Sequence, residues 1–301
     1  MSLLHQNLTA PPAHAIAVPP WVFQCVAWES ASLLERDALS LKRHAGDEYH
    51  LISATIENAD SLDDRSFQAR TIDAYREIFS QIVLSDALYP VRFWNFLPDV
   101  HHPCDDGRDR YQVFNAGRFS AFEKHYGGRA RFANAVATAS AVGHQDDDLV
   151  IHCLARHKPA QPIDNPAQTR PYHYSQRYGP LPPCFARGMR IGPSTLLVGG
   201  TASIVGEDSM HPGDLEAQTR QTLENLSILV QSSGIAPGIH SPLQLFTSLR
   251  VYHPNRADAE HLLDLLGDSF PRVGSIEFVR ADLCRRELLV EIEGVCGHLH
   301  E

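Results

Sequence analysis

The sequence predicts an α+β fold built from two halves. The first observation is residues 61–83, SLDDRSFQARTIDAYREIFSQIV. Phe67, Thr71, Tyr75, Ile78 and Ile82 fall at i, i+4, i+8, i+11 and i+15, one face of a helix. The second is the stretch from residue 195 onward, which reads strand, helix, strand, helix, strand, strand. The third is the same helix-then-strand character in the first half, although no residue-level repeat links the halves.

Taken in order, residues 1–20 are a Pro/Ala-rich arm, and a mixed stretch runs on to about residue 58. Ser61, Asp63 and Asp64 suit the start of the helix that follows. RFWNFLPDV is an aromatic strand ending at Pro98, HHPCDDGRDR is a polar loop, and RFSAFEKHYG is a second helix closed by Gly127. DDLVIHCLAR (146–156) is a buried strand. The Pro-rich segment 158–183 connects the halves and is long for a structureless loop, which favours a site-lining role. TLLVGGTASIVG is a strand whose Gly-Gly pair implies a bulge or close backbone approach. DLEAQTRQTLENLSILVQSSG is a helix stopped by Gly234, with Leu215, Leu223, Leu226 and Val230 on its buried stripe. LQLFTSLRVYHP, GSIEFVRA and ELLVEIEGV are strands, and RADAEHLLDLLGDSF is a helix. The expected domains are 21–157 and 158–301.

Composition narrows the function. With 301 residues, 43% hydrophobic and 21% charged, the chain can build a core. A net charge of -10 argues against nucleic acid or an anionic membrane as partner, so an anionic ligand would need a local cluster of arginines. The start has no basic region ahead of an apolar run, and no stretch is long and apolar enough to span a bilayer. The six scattered cysteines read as reduced thiols, and a cytoplasmic location is expected.

Several clusters are candidates for chemistry. HHPCDD (101–106) brings together two His, a Cys and two Asp, but adjacent ligands without a second cluster make a poor zinc pattern, so no metal is expected. GGTAS (199–203) lacks the further glycines of a dinucleotide fingerprint and the GK[ST] of a P-loop. Tyr172, Tyr174, Tyr178 and Arg187 share one Pro-stiffened segment. They read equally as carboxylate and hydroxyl binders or as core filler. Cys284 and Glu291 lie seven apart across a turn, and taken alone each is unremarkable. In CRRELLVEIEGV, Leu288, Val290 and Ile292 form one strand face, and Glu287, Leu289, Glu291 and Glu293 the other.

Together, RFWNFLPDV, RYQVFNAGRFSAF, DNPAQ, YHYSQRYGPLPPCFAR, GGTASIVGEDS with QTRQTLENL, and CRRELLVEIEG resemble the chorismatase family, over roughly residues 20–296. Chorismatases act on chorismate and release its enolpyruvyl group as pyruvate. QTRQTLENL and LLVEIEGV also resemble the smaller YjgF/RidA proteins. The resemblance therefore implies two RidA-like (chorismate-mutase-like) α+β halves, the N-terminal one divergent, in a monomer or a trimer.

It implies site residues as well. The family's catalytic glutamate in LLVEIEG matches Glu291, with Glu293 as a neighbour that tunes it. A residue seven before it separates subtypes: aliphatic in hydrolytic members, cysteine in members that form 3-hydroxybenzoate. Here it is Cys284, implied to accept a proton near the ring or to shape the space there. The (G/A)TAS motif carries Gly200, which points the same way. Arg187, and second Arg250, are expected to hold carboxylates, with Tyr172, Tyr178, Gly200 and Thr201 completing the pocket. DNPAQ and YHYSQ depart from the ENPRQ and YRYP forms of related members. The implied activity is conversion of chorismate to 3-hydroxybenzoate, with 4-hydroxybenzoate also open, and pyruvate. No cofactor is needed, because an enol ether requires only acid–base chemistry. The alternatives are hydrolysis to a dihydroxycyclohexadiene carboxylate, a RidA-like imine deaminase, and an inactive small-molecule binder.

Overall fold

The computed structural model describes residues 17–85 and 88–298. Most of the expected arm (1–16) and the end of CGHLHE (299–301) lie outside the described residues. The first half runs β1 (Ser30–Arg36), β2 (Leu39–Ala45), β3 (Tyr49–Ile56), α1 (Asp64–Leu84), β4 (Tyr89–Pro98), α2 (Arg110–Tyr126), the short α3 (Phe132–Ala135), β5 (Thr138–His144) and β6 (Leu149–Arg156). The second half runs β7 (Gln161–Ile163), β8 (Gly188–Arg190), β9 (Leu196–Ala202), the hairpin β10 (Ile204–Val205) and β11 (Asp208–Ser209), then α4 (Leu215–Ser233), β12 (Phe246–His253), α5 (Asp258–Leu266), β13 (Ser275–Arg280) and β14 (Glu291–Cys296).

Each half contributes a six-stranded sheet. The orders are β1-β2-β3-β6-β4-β5 and β7-β8-β9-β14-β12-β13. Element for element these are the same order. In both, the parallel pair is the corresponding one, β4 with β5 and β12 with β13. The chain is thus an α+β protein with one topology used twice, a repeat carried by the backbone rather than by matching residues.

The helices start where short polar side chains cap them. Asp63 accepts from Ser66 N at 2.7 Å to open α1. Asp109 and Gln112 form a capping box, with bonds of 2.9 and 3.1 Å, so α2 begins at Arg110 rather than at Arg118 as expected. Gly127 closes it with φ 76°. Both helices cover one face of the first sheet. Tyr75 stands between them and the sheet, against Phe93 and Phe122, and donates to Asn95 Oδ1 at 2.6 Å.

Other expectations are corrected. β1, β2 and β3 occupy the stretch read only as mixed. In β3 both faces are largely covered, so no clean alternation marks the strand. On α4, Leu226 and Val230 are buried, but Leu215 and Leu223 are only half-buried. Gln218, Thr219, Thr222 and Asn225 fill the stripe instead: Gln218 and Asn225 bond backbone beneath the helix, and Thr219 and Thr222 return their hydroxyls to carbonyls of their own helix. Asn225 Nδ2 donates to the carbonyls of Ala202 and Ile204, both at 2.9 Å. ELLVEIEGV is a strand only from Glu291 onward. Ahead of it, Leu288 N closes a turn onto Arg285 O at 3.1 Å, and Leu289 N is taken by Gln218 Oε1 at 2.8 Å. These backbone groups are satisfied without a neighbouring strand.

The two halves dock along β5, the edge strand of the first sheet, and β9. Ala186 N donates to Ala137 O at 3.0 Å, and Gly143 N to Asp282 O at 2.7 Å. At Gly199 the strands nearly touch, since a Cβ there would lie 2.3 Å from Thr138 Oγ1 and 2.9 Å from Ala139 O. The Gly-Gly pair serves both readings its sequence allowed: close backbone approach at Gly199, and a bulge, since β9 advances from Thr201 to Val198 while β14 advances only from Ile292 to Gly294. Gly199→Ala is expected to destabilise the protein by about 1–3 kcal/mol through overpacking, read as a lower urea midpoint with an unchanged slope.

Candidate active site

A cavity of about 300 Å³ opens where the halves meet. This is at the small end of the range for ligand pockets. Tyr111, Gln112 and Arg118 of α2 and Ser140 of β5 come from the first half. Gly200 of β9, Glu291 of β14, Tyr174, Tyr178, Arg187 and the segment Cys284–Glu287 come from the second.

Glu291 and Glu293 stand two apart on β14 and face the same side, toward the first half. Both are buried. Their surroundings differ. Glu293 is a paired carboxylate: Arg92 Nη2 donates to it at 2.6 Å, Trp94 Nε1 at 2.7 Å, and Ser140 Oγ by a further short bond. Glu291 instead lies against Gly200, where a Cβ would come 2.0 Å from its Oε1. Burial, together with the charge of Glu293, pushes the Glu291 carboxyl up to about 8 against the opposing pull of Arg92 and Arg187. At neutral pH it is a neutral acid on a rigid strand, with its oxygens at the cavity wall.

Facing this acid is a set of guanidinium groups. Arg187 is 4% exposed and Arg118 1% exposed, and each has an Nε with no partner. Their guanidinium carbons lie 5.2 and 5.7 Å from the centre of the same Phe185 ring. Tyr174, part of the Tyr-rich segment but not among the expected site residues, accepts from Arg187 Nη2 at 2.5 Å. Arg285 stacks 4.0 Å over the Tyr178 ring and donates to Tyr178 Oη at 3.2 Å, Glu207 O at 2.8 Å and Ser209 Oγ at 3.0 Å. Arg286 donates to His101 O at 2.7 Å. Buried guanidinium nitrogens without partners are suited to carboxylates, and two of them suit a dianion. A cationic recess thus sits in a chain of net charge -10.

Glu291, Cys284, Arg187, Tyr178 and Gly200 all lie on the cavity wall. Three expected residues do not. Tyr172 is packed into the core against Phe132, with ring centres 5.8 Å apart. Thr201 follows Gly200 on β9, so the pleat turns its side chain away, and its Oγ1 donates to Gly199 O at 3.0 Å. Arg250 is committed to Glu277, with Nε to Oε2 at 3.1 Å and Nη2 to Oε1 at 3.3 Å. Arg118 and Tyr111 were missed as site residues, although both lie in RYQVFNAGRFSAF. Their signal was helical spacing: Tyr111, Asn115 and Arg118 fall at i, i+4 and i+7, which puts them on one face of the helix. In HHPCDD only His101 reaches the cavity, and no group of three or more possible metal ligands forms among the described residues. The Cys284 thiol is pushed up to about 12, first by burial and then by Glu291, so it is protonated at neutral pH.

Residues 27–155 match the family model described as Chorismatase FkbO/Hyg5-like, N-terminal. A 3-hydroxybenzoate synthase of Streptomyces hygroscopicus is 34% identical over 216 residues, covering 68% of this chain and 62% of that protein. A chorismatase of Streptomyces rapamycinicus is 29% identical over 240 residues, covering 76% of this chain and 70% of the relative. A chorismatase crystal structure superposes with a TM-score of 0.75 at 25% identity, covering 88% of this chain and 79% of the other. The chain is thus similar to chorismatases over most of its length. The matched N-terminal region contains Tyr111, Arg118 and Ser140, so the half without Glu291 still builds much of the cavity. No helix among the described residues is long and apolar enough to cross a membrane.

The raised Glu291 carboxyl has a consequence for stability. The native state keeps a proton that the unfolded chain releases near the ordinary value of 4.5. Stability tied to this group is therefore fully present below about 4.5 and is lost as pH rises toward about 8. The loss is roughly 1.4 kcal/mol per pH unit inside that window, a few kcal/mol in all. Glu291→Gln removes the titration, so its urea midpoint should overtake that of the wild type progressively across the window. Parallel pH dependence of the two proteins would contradict a neutral Glu291.

Proposed function

We propose that this protein converts chorismate to 3-hydroxybenzoate and pyruvate, with Glu291 as the proton donor. The observation that carries the reading is a neutral carboxyl group on the wall of a cationic cavity. Chorismate is a dianion whose enol ether must be protonated on its terminal methylene carbon. Carbon is a poor proton acceptor, so the acid must be neutral, aimed and close. Glu291 meets the first two conditions through burial and its place on β14. Arg187 and Arg118, each with an unpartnered Nε, are assigned to the two carboxylates. In this reading the chain is two domains, 21–157 and 158–301, with the site in the seam between them.

Protonation gives an oxocarbenium ion. The ring 4-hydroxyl then attacks the adjacent carbon, the C–O bond to the enolpyruvyl-derived group breaks, and pyruvate leaves. The hydroxyl proton returns to the Glu291 carboxylate, and the resulting epoxide opens to 3-hydroxybenzoate. The two products together contain the atoms of chorismate, so no water is consumed. Water attack on the cation would instead give the dihydroxycyclohexadiene carboxylate, so this route requires water to be kept out. A thiol protonated at neutral pH is a poor base, and the role assigned to Cys284 is to occupy the space beside Glu291 that an attacking water would need.

Incubation with chorismate in ¹⁸O-water should yield pyruvate and 3-hydroxybenzoate with no solvent oxygen in the phenol, and chromatography gives any share of 4-hydroxybenzoate. Glu291→Gln should lower turnover by at least ~10²-fold in a folded protein. Because the protonated form is the active one, kcat/KM should be flat near neutrality and fall above pH about 8. Unconsumed chorismate would sink the reading. Cys284→Ala should divert product to the dihydroxycyclohexadiene carboxylate, and an unchanged product ratio would remove Cys284 from this role.

A further inference from the structure

The buried ion pair beside the acid calls for a reason. Exchanging a buried pair for apolar residues of similar volume is often neutral or stabilising, so stability alone is a weak account of Glu293 and Arg92. Glu293 is 3% exposed and Arg92 2%, and Arg92, Trp94 and Ser140 of the first half each donate to Glu293, while Arg92 Nη2 also meets Ser140 Oγ and Arg92 Nη1 has no partner. Ser140 has one hydroxyl hydrogen. It lies 3.2 Å from the point off Gly200 that the Glu291 carboxyl crowds, yet it donates to Glu293. These hydrogen bonds go to the neighbour of Glu291.

We propose that Glu293 is a positioning residue for the acid: its fixed negative charge, two residues along the same strand face, keeps the proton on Glu291. The first half, through Arg92, Trp94 and Ser140, holds that charge in place. The other charged or titratable groups around Glu291 and its cavity are Arg92 from β4, His101 and Asp109 from the segment before α2, Tyr111 and Arg118 from α2, Tyr174, Tyr178 and Arg187 from the segment before β8, and Cys284, Arg285, Arg286 and Glu287 from the segment before β14. Arg92 and Arg187 favour the charged acid, and Glu293 opposes them. This role deepens the proposed acid function of Glu291 and rests on it.

The test uses the full chain and two variants, Glu293→Gln and Glu293→Asp. Infrared titration follows the protonated carboxyl band that disappears in Glu291→Gln, so Glu291 is read without turnover. The alkaline limb of kcat/KM with chorismate is measured alongside. Glu293→Gln should move the Glu291 titration and the limb to lower pH by about one unit or more, and Glu293→Asp, which keeps the charge, should restore most of the shift. A folded Glu293→Gln protein that titrates as wild type would overturn the proposal, as would equal shifts in both variants. If the infrared titration moves while chorismate is never consumed, the positioning role stands and the chorismate reading fails.

Discussion

The contact between Arg92 and Glu293 across the two sheets is the constraint on which the site depends. It is made from β4 to β14, between the faces of the two sheets that turn toward each other. An ion pair at this depth tolerates little displacement, because either charge left alone in the interior is strongly destabilising. It therefore sets how β14 lies against β4 and β5, and with β14 it sets where Glu291 points. The glycines of β9 are part of the same fit. Gly199 lets the strand pass Thr138, and Gly200 leaves room for the Glu291 carboxyl. A side chain at either position would occupy space that the docking needs.

Use of one topology twice divides the work. The second half carries the acid, the Arg187–Tyr174 pair and the segment that feeds β14. The first half supplies Arg118, Tyr111 and Ser140 and the partners of Glu293. Neither half alone encloses the cavity. Helix α4 ties these parts down with polar rather than apolar groups. Gln218 bonds Leu289 N and Glu287 O, and Asn225 bonds Ala202 O and Ile204 O. Such side chains hold backbone that lacks a neighbouring strand, which is why QTRQTLENL carries so few large apolar residues on its buried face.

Much of this was legible and some was not, for physical reasons. Helices α1 and α4 announced themselves through caps and period. Strands covered on both faces, such as β3, lose the alternation that marks a half-exposed strand, and β5 is built of small residues with a weak strand signal. Among the cavity-lining residues, Glu291, Cys284, Gly200, Tyr178 and Arg187 could be picked out by motif. Arg250 could not be told from a binding arginine, because its partner Glu277 comes from the parallel neighbour β13. Thr201 was misplaced because the pleat separates it from Gly200, and Tyr172 because a phenol in a loop looks the same whether it lines a cavity or fills a core.

By itself, the sequence determined the two-part α+β plan, most helix boundaries, the family resemblance and the strand that carries two glutamates. Local rules suffice for these, since caps, periodicity and motif order are properties of neighbouring residues. Only the tertiary structure decided which glutamate is paired and which is left neutral. That distinction comes from donors on β4 and β5, roughly 150–200 residues away in the chain. A carboxyl group's protonation depends on the groups packed around it, and no local pattern on one strand encodes them.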